Sequence, residues 1–120
     1  MRNQIQPLTP PAFYVLLSLH ETERHGYDIM KQIADYTSGQ INIGPGTLYG
    51  LVKRLLGEGL IEENDERADT SGDDERRRYY RLTSEGRRRL GTEVKRLQAA
   101  VTKAQELGVS FKTSSYSWIS

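Results

Sequence analysis

Residues 44–61, GPGTLYGLVKRLLGEGLI, predict a helix that leads directly into a strand. Pro45 suits the first turn of a helix, because its φ is already helical and its missing N–H is not needed there. Gly59 suits the left-handed position that closes a helix, and residues 60–61 then begin a strand. Apolar residues recur between these ends at helical spacing and predict one buried face. They are Leu48, Leu51, Val52 and Leu55.

The opposite face of this helix has a composition that suits DNA. It carries Thr47, Gly50, Lys53 and Arg54, with Tyr49 at its margin. The two cations can neutralise phosphates or reach guanine edges, and the two hydroxyls can donate to phosphate oxygens. Gly46 and Gly50 place no side chain on this face, so another surface can approach closely. Two basic residues are common on exposed helices, so this helix alone leaves DNA binding open.

The flanking segments predict a winged helix-turn-helix domain. Thr9 and Pro10 begin a first helix that ends near His20, residues 21–25 form a polar connection, and a second helix follows Gly26. One face of the second helix is expected to consist of Tyr27, Met30, Ile33, Ala34 and Thr37. A β-hairpin follows, with one strand that begins at residues 60–61, another at residues 76–82 and a long polar loop at residues 64–75 between them. The fold class is therefore mainly α with a small β-hairpin, the hairpin forming the wing.

A last helix, capped by Thr83 or Ser84, carries apolar residues at alternating spacings of four and three. They are Leu90, Val94, Leu97, Val101 and Ala104. This narrow seam beside a highly charged face favours a homodimer joined through the helix, the alternative being an amphipathic helix packed on its own domain. The predicted division is a DNA-binding domain at 1–83, a dimerisation helix at 84–107 and a tail at 108–120. The tail carries Trp118, and the sequence does not decide whether it is disordered or docks on the rest of the chain.

The net charge of +1 conceals a strong segregation of charge along the chain. Residues 62–75 carry eight acids and one base, which sum to −7, whereas residues 76–103 carry ten bases and two acids, which sum to +8. Such segregation can give a strongly basic face to a chain that is nearly neutral overall. The same charges could equally be solvated residues on a hairpin and a helix.

Several classes of function are excluded by missing residues. The chain has no cysteine and two histidines without metal-ligand spacing, so neither a metal site nor a cofactor is expected. No phosphate-cradling glycine loop or nucleophile elbow occurs, so the protein is not expected to be an enzyme. No apolar run approaches a membrane span, and residues 1–7 do not begin a signal peptide. The predicted location is the cytoplasm.

Four blocks of this sequence resemble the PadR family of bacterial transcription regulators, over about residues 8–107. A single block would be weak, but four in order and register are specific. The blocks are His25-Gly26-Tyr27-Asp28-Ile29, then Gly44-Pro45-Gly46-Thr47-Leu48-Tyr49, then Leu55 with Gly59-Leu60-Ile61, and finally Arg78-Tyr79-Tyr80-Arg81-Leu82-Thr83 with Gly86.

The resemblance implies a winged-helix DNA-binding domain and a C-terminal helix that forms a homodimer. Family members are typically repressors of palindromic operators, relieved by a small molecule or a stress signal. Matched block by block, Pro45 to Tyr49 would begin the recognition helix, the hydroxyl of Tyr27 would approach the DNA backbone, and residues 78–83 would form the returning wing strand. The expected partners are thus double-stranded DNA, a second copy of the chain and an unknown effector, without a membrane.

Two features depart from the family pattern. Wing tips in the family are usually small and basic, but residues 65–75 are mainly acidic here, so phosphate contacts are expected from Arg76, Arg77 and Arg78 at the base of the wing. The last helix lacks the aromatic residues with which some relatives hold flat ligands, which puts a drug-like effector in doubt. The acidic wing and sparse helix charge also allow a different class of function, a winged-helix module that binds only protein.

Overall fold

The computed structural model describes residues 6–64 and 78–110 and shows four helices and a small antiparallel sheet in those ranges. The elements in chain order are α1 (Pro10–Glu21), β1 (Arg24–His25), α2 (Gly26–Tyr36), α3 (Pro45–Gly57), β2 (Ile61–Asn64), β3 (Tyr79–Leu82) and α4 (Ser84–Glu106). The strand order in the sheet is β1-β3-β2. The predicted fold class, mainly α with a small β element, is confirmed.

The helices begin and end where their capping residues predict. The Thr9 hydroxyl accepts from the Ala12 amide at 3.3 Å, and the Thr83 hydroxyl accepts from the Gly86 amide at 2.9 Å. Each side chain satisfies an amide that the first helical turn leaves without a partner. Gly59 has a φ of +75°, which confirms the left-handed residue expected after α3. The amide of Leu60 then returns to the Leu55 carbonyl at 3.0 Å.

The strand β1 was not predicted, and this corrects the assignment of residues 21–25 to a simple connection. Arg24 pairs with Tyr80 and His25 with Tyr79, so β3 lies between β1 and β2. A strand of two residues is too short to show the alternation by which strands are recognised in a sequence. The wing, meaning β2, β3 and the residues between them, is thereby hydrogen-bonded to the segment that begins α2.

The core lies between α1, α2, α3 and the inner face of the sheet. Its largest fully buried side chains include Leu16, Ile29, Ile33, Leu48 and Leu55. The face predicted for α2 needs correction, because Ile29 and Ile33 are its buried apolar residues while Tyr27 is 61% exposed. The period was right, but the apolar stripe is rotated away from Tyr27.

The helix α4 has two halves that differ in their contacts. Its first turns pack on α1 and β3, with Gly86 against the Leu60 carbonyl and Leu90 in the core. From Val94 onward its large apolar side chains are exposed, Val94 by 48%, Leu97 by 38% and Val101 by 51%. Within the two described ranges, no helix has both the length and the apolar character needed to cross a membrane.

Candidate nucleic-acid interface

The two faces of α3 are divided as its sequence predicts. Leu48, Val52 and Leu55 are buried, and Leu51 is half-buried beside them. The residues assigned to the outer face are exposed: Pro45, Gly46, Thr47, Gly50, Lys53 and Arg54. A Cβ built on Gly46 or Gly50 meets nothing within 4 Å, so this face is open along its length. The helix therefore presents a shallow surface with two cations toward its C-terminal half.

The N-terminus of α3 suits an anion. Its N-cap is Gly44, which has no side chain to accept from the first amides of the helix. The Gly44 carbonyl accepts from the Leu48 amide at 2.9 Å, so regular helical bonding starts at once. Free first-turn amides and the positive end of the helix dipole favour a phosphate oxygen at such a position. The exposed Thr47 hydroxyl lies in the same turn.

The two cations of α3 differ in their surroundings. Arg54 Nε lies 3.5 Å from Glu58 Oε2 one turn later, and both side chains are at least half exposed. Exposed pairs of this kind contribute little to stability, so a phosphate can compete for the arginine. Lys53 has no ion-pair partner among the described residues.

The start of α2 lies against α3. Tyr49, assigned to the DNA-facing margin of α3, is half-buried, and its ring packs on Gly26. Tyr27 is the exposed aromatic at this junction, and its ring stacks with that of His25 at a centroid distance of 6.4 Å. His25 Nδ1 accepts from the Asp28 amide at 3.2 Å and so caps α2. The exposed tyrosine hydroxyl available for a phosphate is thus that of Tyr27, while Tyr49 joins the two helices.

At the base of the wing, one arginine before β3 and one within it are paired with acids of β2. Arg78 Nη1 lies 3.0 and 2.9 Å from the two carboxylate oxygens of Glu63, and Arg81 Nε lies 2.8 Å from Glu62 Oε2. Glu63 thus neutralises Arg78, which the sequence analysis assigned to the DNA. Arg76 and Arg77, the other arginines expected to contact DNA, lie outside the described residues, as does the acidic wing tip.

The model of the transcriptional regulator PadR-like family matches residues 15–92, a span that contains α2, α3 and the wing. The chain belongs to the PadR-like family. An uncharacterised protein of Lysinibacillus sphaericus is 36% identical over 81 residues, which are 68% of this chain and 72% of that protein.

Solved structures of other regulators have the same fold as this chain. A transcriptional regulator of Clostridium thermocellum superposes with a TM-score of 0.67 at 26% identity, covering 82% of this chain and 90% of that one. A PadR family regulator of Clostridium difficile gives a TM-score of 0.67 at 22% identity over 82% of this chain and 98% of its own. These neighbours confirm the winged-helix architecture. Members of the PadR-like family are transcription regulators and not enzymes, which confirms that part of the sequence prediction.

The residues assigned to the seam of this PadR-family chain do not share one environment. Leu90 is 5% exposed and belongs to the chain's own core. Val94, Leu97 and Val101 are exposed, and Ala104 is half-buried. The apolar surface available to a second chain therefore begins at Val94.

Sequence reasoning missed two buried charges beside these surfaces of the PadR-family fold. Glu93 on α4 is 2% exposed, accepts from the Leu8 amide at 3.3 Å and pairs with Arg96 at 2.5 Å. The hydrogen bond from Arg96 holds the pKa of Glu93 below its usual value. Arg24, 7% exposed, lies between α1 and α2. Neither burial had a signal in the sequence, because both residues belong to charged segments that resemble solvated surface.

Proposed function

We propose that this PadR-family chain is a homodimeric repressor that binds a palindromic operator through α3 and is released by a signal not yet identified. The observation that carries the proposal is the exposed outer face of α3, which joins an uncapped N-terminus to Lys53 and Arg54. In helix-turn-helix proteins the second helix of the motif enters the major groove with its N-terminal residues nearest the bases. Gly46 and Gly50 favour such a close approach.

The phosphate contacts are assigned to both sides of α3. Tyr27 offers an exposed hydroxyl at the start of α2, and Thr47 offers one in the first turn of α3. Pro45 sets the helix start, and Tyr49 holds it against α2. Arg78 would contribute by sharing or leaving its bond to Glu63, with Arg76 and Arg77 beside it in the sequence. The base of the wing therefore supplies a weaker electrostatic contribution than three unpaired arginines would.

The exposed second half of α4 supports dimerisation. An isolated helix that exposes Val94, Leu97 and Val101 in one stripe gains stability by burying that stripe against a copy of itself. Ala104 extends the stripe, while Leu90 fixes the helix to the chain's own core. Residues 1–83 would then form the DNA-binding domain and residues 84–107 the dimerisation helix. Two-fold symmetry would place two copies of α3 in major grooves about 34 Å apart.

Fluorescence anisotropy tests the proposal with a duplex from the region upstream of the protein's own gene and a scrambled duplex as control. Each would be titrated at two salt concentrations. Specific binding that weakens steeply with salt supports the repressor, because phosphate neutralisation releases counterions. Equal, weak binding to both duplexes would require a genome-wide search for the operator.

A module that binds protein alone is the second candidate, and the pairing of Arg54 with Glu58 and of Arg78 with Glu63 favours it. Pairing by internal acids reduces the positive potential that attracts DNA. Absence of binding to either duplex at low salt would support this candidate over the repressor.

A further inference from the structure

Arg24 joins the end of α1 to the start of α2 through a buried side chain. Its Nε donates to the Ser18 carbonyl at 3.0 Å, its Nη1 to Asp28 Oδ2 at 2.9 Å and its Nη2 to Glu21 Oε1 at 2.6 Å. The Arg24 side chain is 8% exposed, so the arginine is largely shielded from water, although its partner Glu21 is 60% exposed. A planar group with donors in a fixed fork holds its acceptors in a defined relative geometry.

The opposite end of α2 is tied to the same carboxylate. The Tyr36 hydroxyl donates to Glu21 Oε1 at 2.6 Å, from the last residue of the helix. The hydrogen bond from Tyr36, together with Arg24, holds the pKa of Glu21 below its usual value. Glu21 therefore remains an anion that connects both ends of α2 to the end of α1.

The backbone of Arg24 extends this connection to the wing. Arg24 pairs with Tyr80, and the next residue, His25, pairs with Tyr79. The His25 ring also meets the Tyr79 ring edge to face, with centroids 5.4 Å apart. The residue that fixes α2 by its side chain thus belongs to the strand that holds β3 by its backbone.

We propose that Arg24 is a positioning residue for DNA binding, which sets the wing in register with α3. The proposal rests on the proposed function, since it concerns how two DNA-contacting elements are held together. The helix α3 is held to α2 by the contact of Tyr49 with Gly26. The wing is held to β1 by the pairing of Tyr79 and Tyr80. The buried guanidinium is engaged inside the protein, so it acts through these elements and not on the DNA.

This role predicts a change in the salt dependence of DNA binding that destabilisation alone does not produce. Arg24→Lys keeps the charge but replaces the fork by a point charge that cannot span the same three acceptors. The wing and α3 then no longer meet the DNA in a fixed register, and fewer phosphates are contacted together. Log affinity falls with log salt concentration, and each lost phosphate contact reduces the magnitude of this negative slope by about 0.9. A variant that is merely less stable has fewer active molecules but keeps the slope.

The experiment compares Arg24→Lys with Leu16→Ala, which opens a cavity in the core shared by α1 and the sheet but removes none of the hydrogen bonds of Arg24. Operator binding is measured over a range of salt, and backbone amide exchange is followed by mass spectrometry. For Arg24→Lys we expect binding weakened by about tenfold. We expect the salt dependence to become shallower by the equivalent of about one to two phosphate contacts. We also expect faster exchange confined to β1, β3 and the first turn of α2. For Leu16→Ala we expect an unchanged slope.

The two arms separate this proposal from the proposed function. Exchange in Arg24→Lys that matches the wild type, or that rises equally throughout the chain, would overturn the positioning role whatever the DNA result. Failure of the wild-type protein to bind duplex DNA would overturn the repressor, and the local exchange pattern would still decide whether Arg24 holds the wing. Should Arg24→Lys not fold, Tyr36→Phe weakens the same network from its exposed end, with smaller changes of the same direction expected.

Discussion

The ring of Tyr49 on α3 occupies the space that a side chain on Gly26 at the start of α2 would need. A Cβ on Gly26 would lie 2.7 Å from Tyr49 Cζ and closer still to the hydroxyl oxygen. Cβ atoms are essentially never found at such distances, so a side chain at position 26 would force the Tyr49 ring to move. This contact joins the HGYDI and PGTLY segments at the junction of α2 and α3.

Gly26→Ala is therefore expected to lower the free energy of unfolding by about 1–3 kcal/mol, the cost of overpacking a tight contact. The added methyl group must displace the Tyr49 ring and, with it, the start of α3. Urea unfolding measures the loss, and operator affinity should fall as well.

Tyr49→Leu supplies the test of cause, because leucine lacks the ring atoms that meet the new methyl group. The double variant Gly26→Ala with Tyr49→Leu should be more stable than the sum of the two single changes predicts. Strictly additive losses would show that the contact is not the origin of the effect.

Gly50→Ala should separate stability from DNA binding. Gly50 lies inside α3 with open space around it, so alanine should stabilise the helix by about 0.5–1 kcal/mol. If the outer face of α3 approaches DNA closely, the same methyl group should weaken operator binding. Gly57→Ala, at the C-terminal residue of the same helix, is the matched control and should leave affinity unchanged. Equal affinities for both variants would remove Gly50 from the interface.

Lys53→Ala with Arg54→Ala should weaken operator binding and flatten its dependence on salt. Loss of two phosphate contacts lowers the slope by about 1.8 on the scale of 0.9 for each contact. Glu58→Gln is the complementary change, because it releases Arg54 from its 3.5 Å ion pair and removes a negative charge from the C-terminal end of α3. Its affinity should rise. Titration by fluorescence anisotropy at several salt concentrations measures both, and an unchanged slope in the double variant would remove this face from the DNA.

The helix α3 could be predicted in detail because several local signals agree. Pro45 at the start, Gly59 at the end and an apolar stripe between them specify the same helix independently of the rest of the chain. The outer face then follows by subtraction.

The environment of each charge could not be predicted, because it depends on how the helices pack, whether the partners are near in the sequence or far from it. Arg24 is buried by the Ser18 carbonyl and two carboxylates, and Glu93 by the Leu8 amide 85 positions away. In sequence both belong to charged surface. The heptad spacing of α4 has a similar limit. The same spacing includes Leu90, which is buried in the chain's own core, and Leu97, which is exposed, so the spacing alone does not separate the two environments.

Leu97→Glu should convert the proposed homodimer to a monomer. Leu97 lies in the middle of the exposed stripe, and a carboxylate there would be desolvated next to its own copy across a two-fold axis. Gln98→Glu places the same charge one residue away, outside the predicted stripe, and should leave the dimer intact. Sedimentation velocity distinguishes the two states. A Leu97→Glu variant that still sediments as a dimer would contradict the seam.

Glu93→Gln should destabilise the protein near neutral pH and lose this effect in acid. Arg96 and the Leu8 amide donate to the Glu93 carboxylate, and the bond from Arg96 holds its pKa below the usual value. A carboxyl group with a lowered folded-state pKa contributes stability that is complete above its unfolded pKa of about 4.3 and is lost as pH falls through the folded value. We expect the variant to lose about 1–3 kcal/mol near pH 7, since buried donors are left poorly matched, and the difference to shrink below about pH 4.

Glu85→Gln is the matched control for this comparison. Glu85 pairs with Arg88 three residues later in the same helix, as Glu93 pairs with Arg96, and both pairs are 2.5 Å apart. The Glu85 side chain is 57% exposed and that of Glu93 only 3%, so burial is the main difference between the two pairs. Exposed pairs contribute roughly 0–1 kcal/mol, so urea unfolding of Glu85→Gln should change little with pH. Equal losses in the two variants would show that the docking of residue 8 on α4 adds nothing to the ion pair. A larger, acid-sensitive loss at Glu93 alone would show that this carboxylate anchors the N-terminal segment where the exposed half of α4 begins.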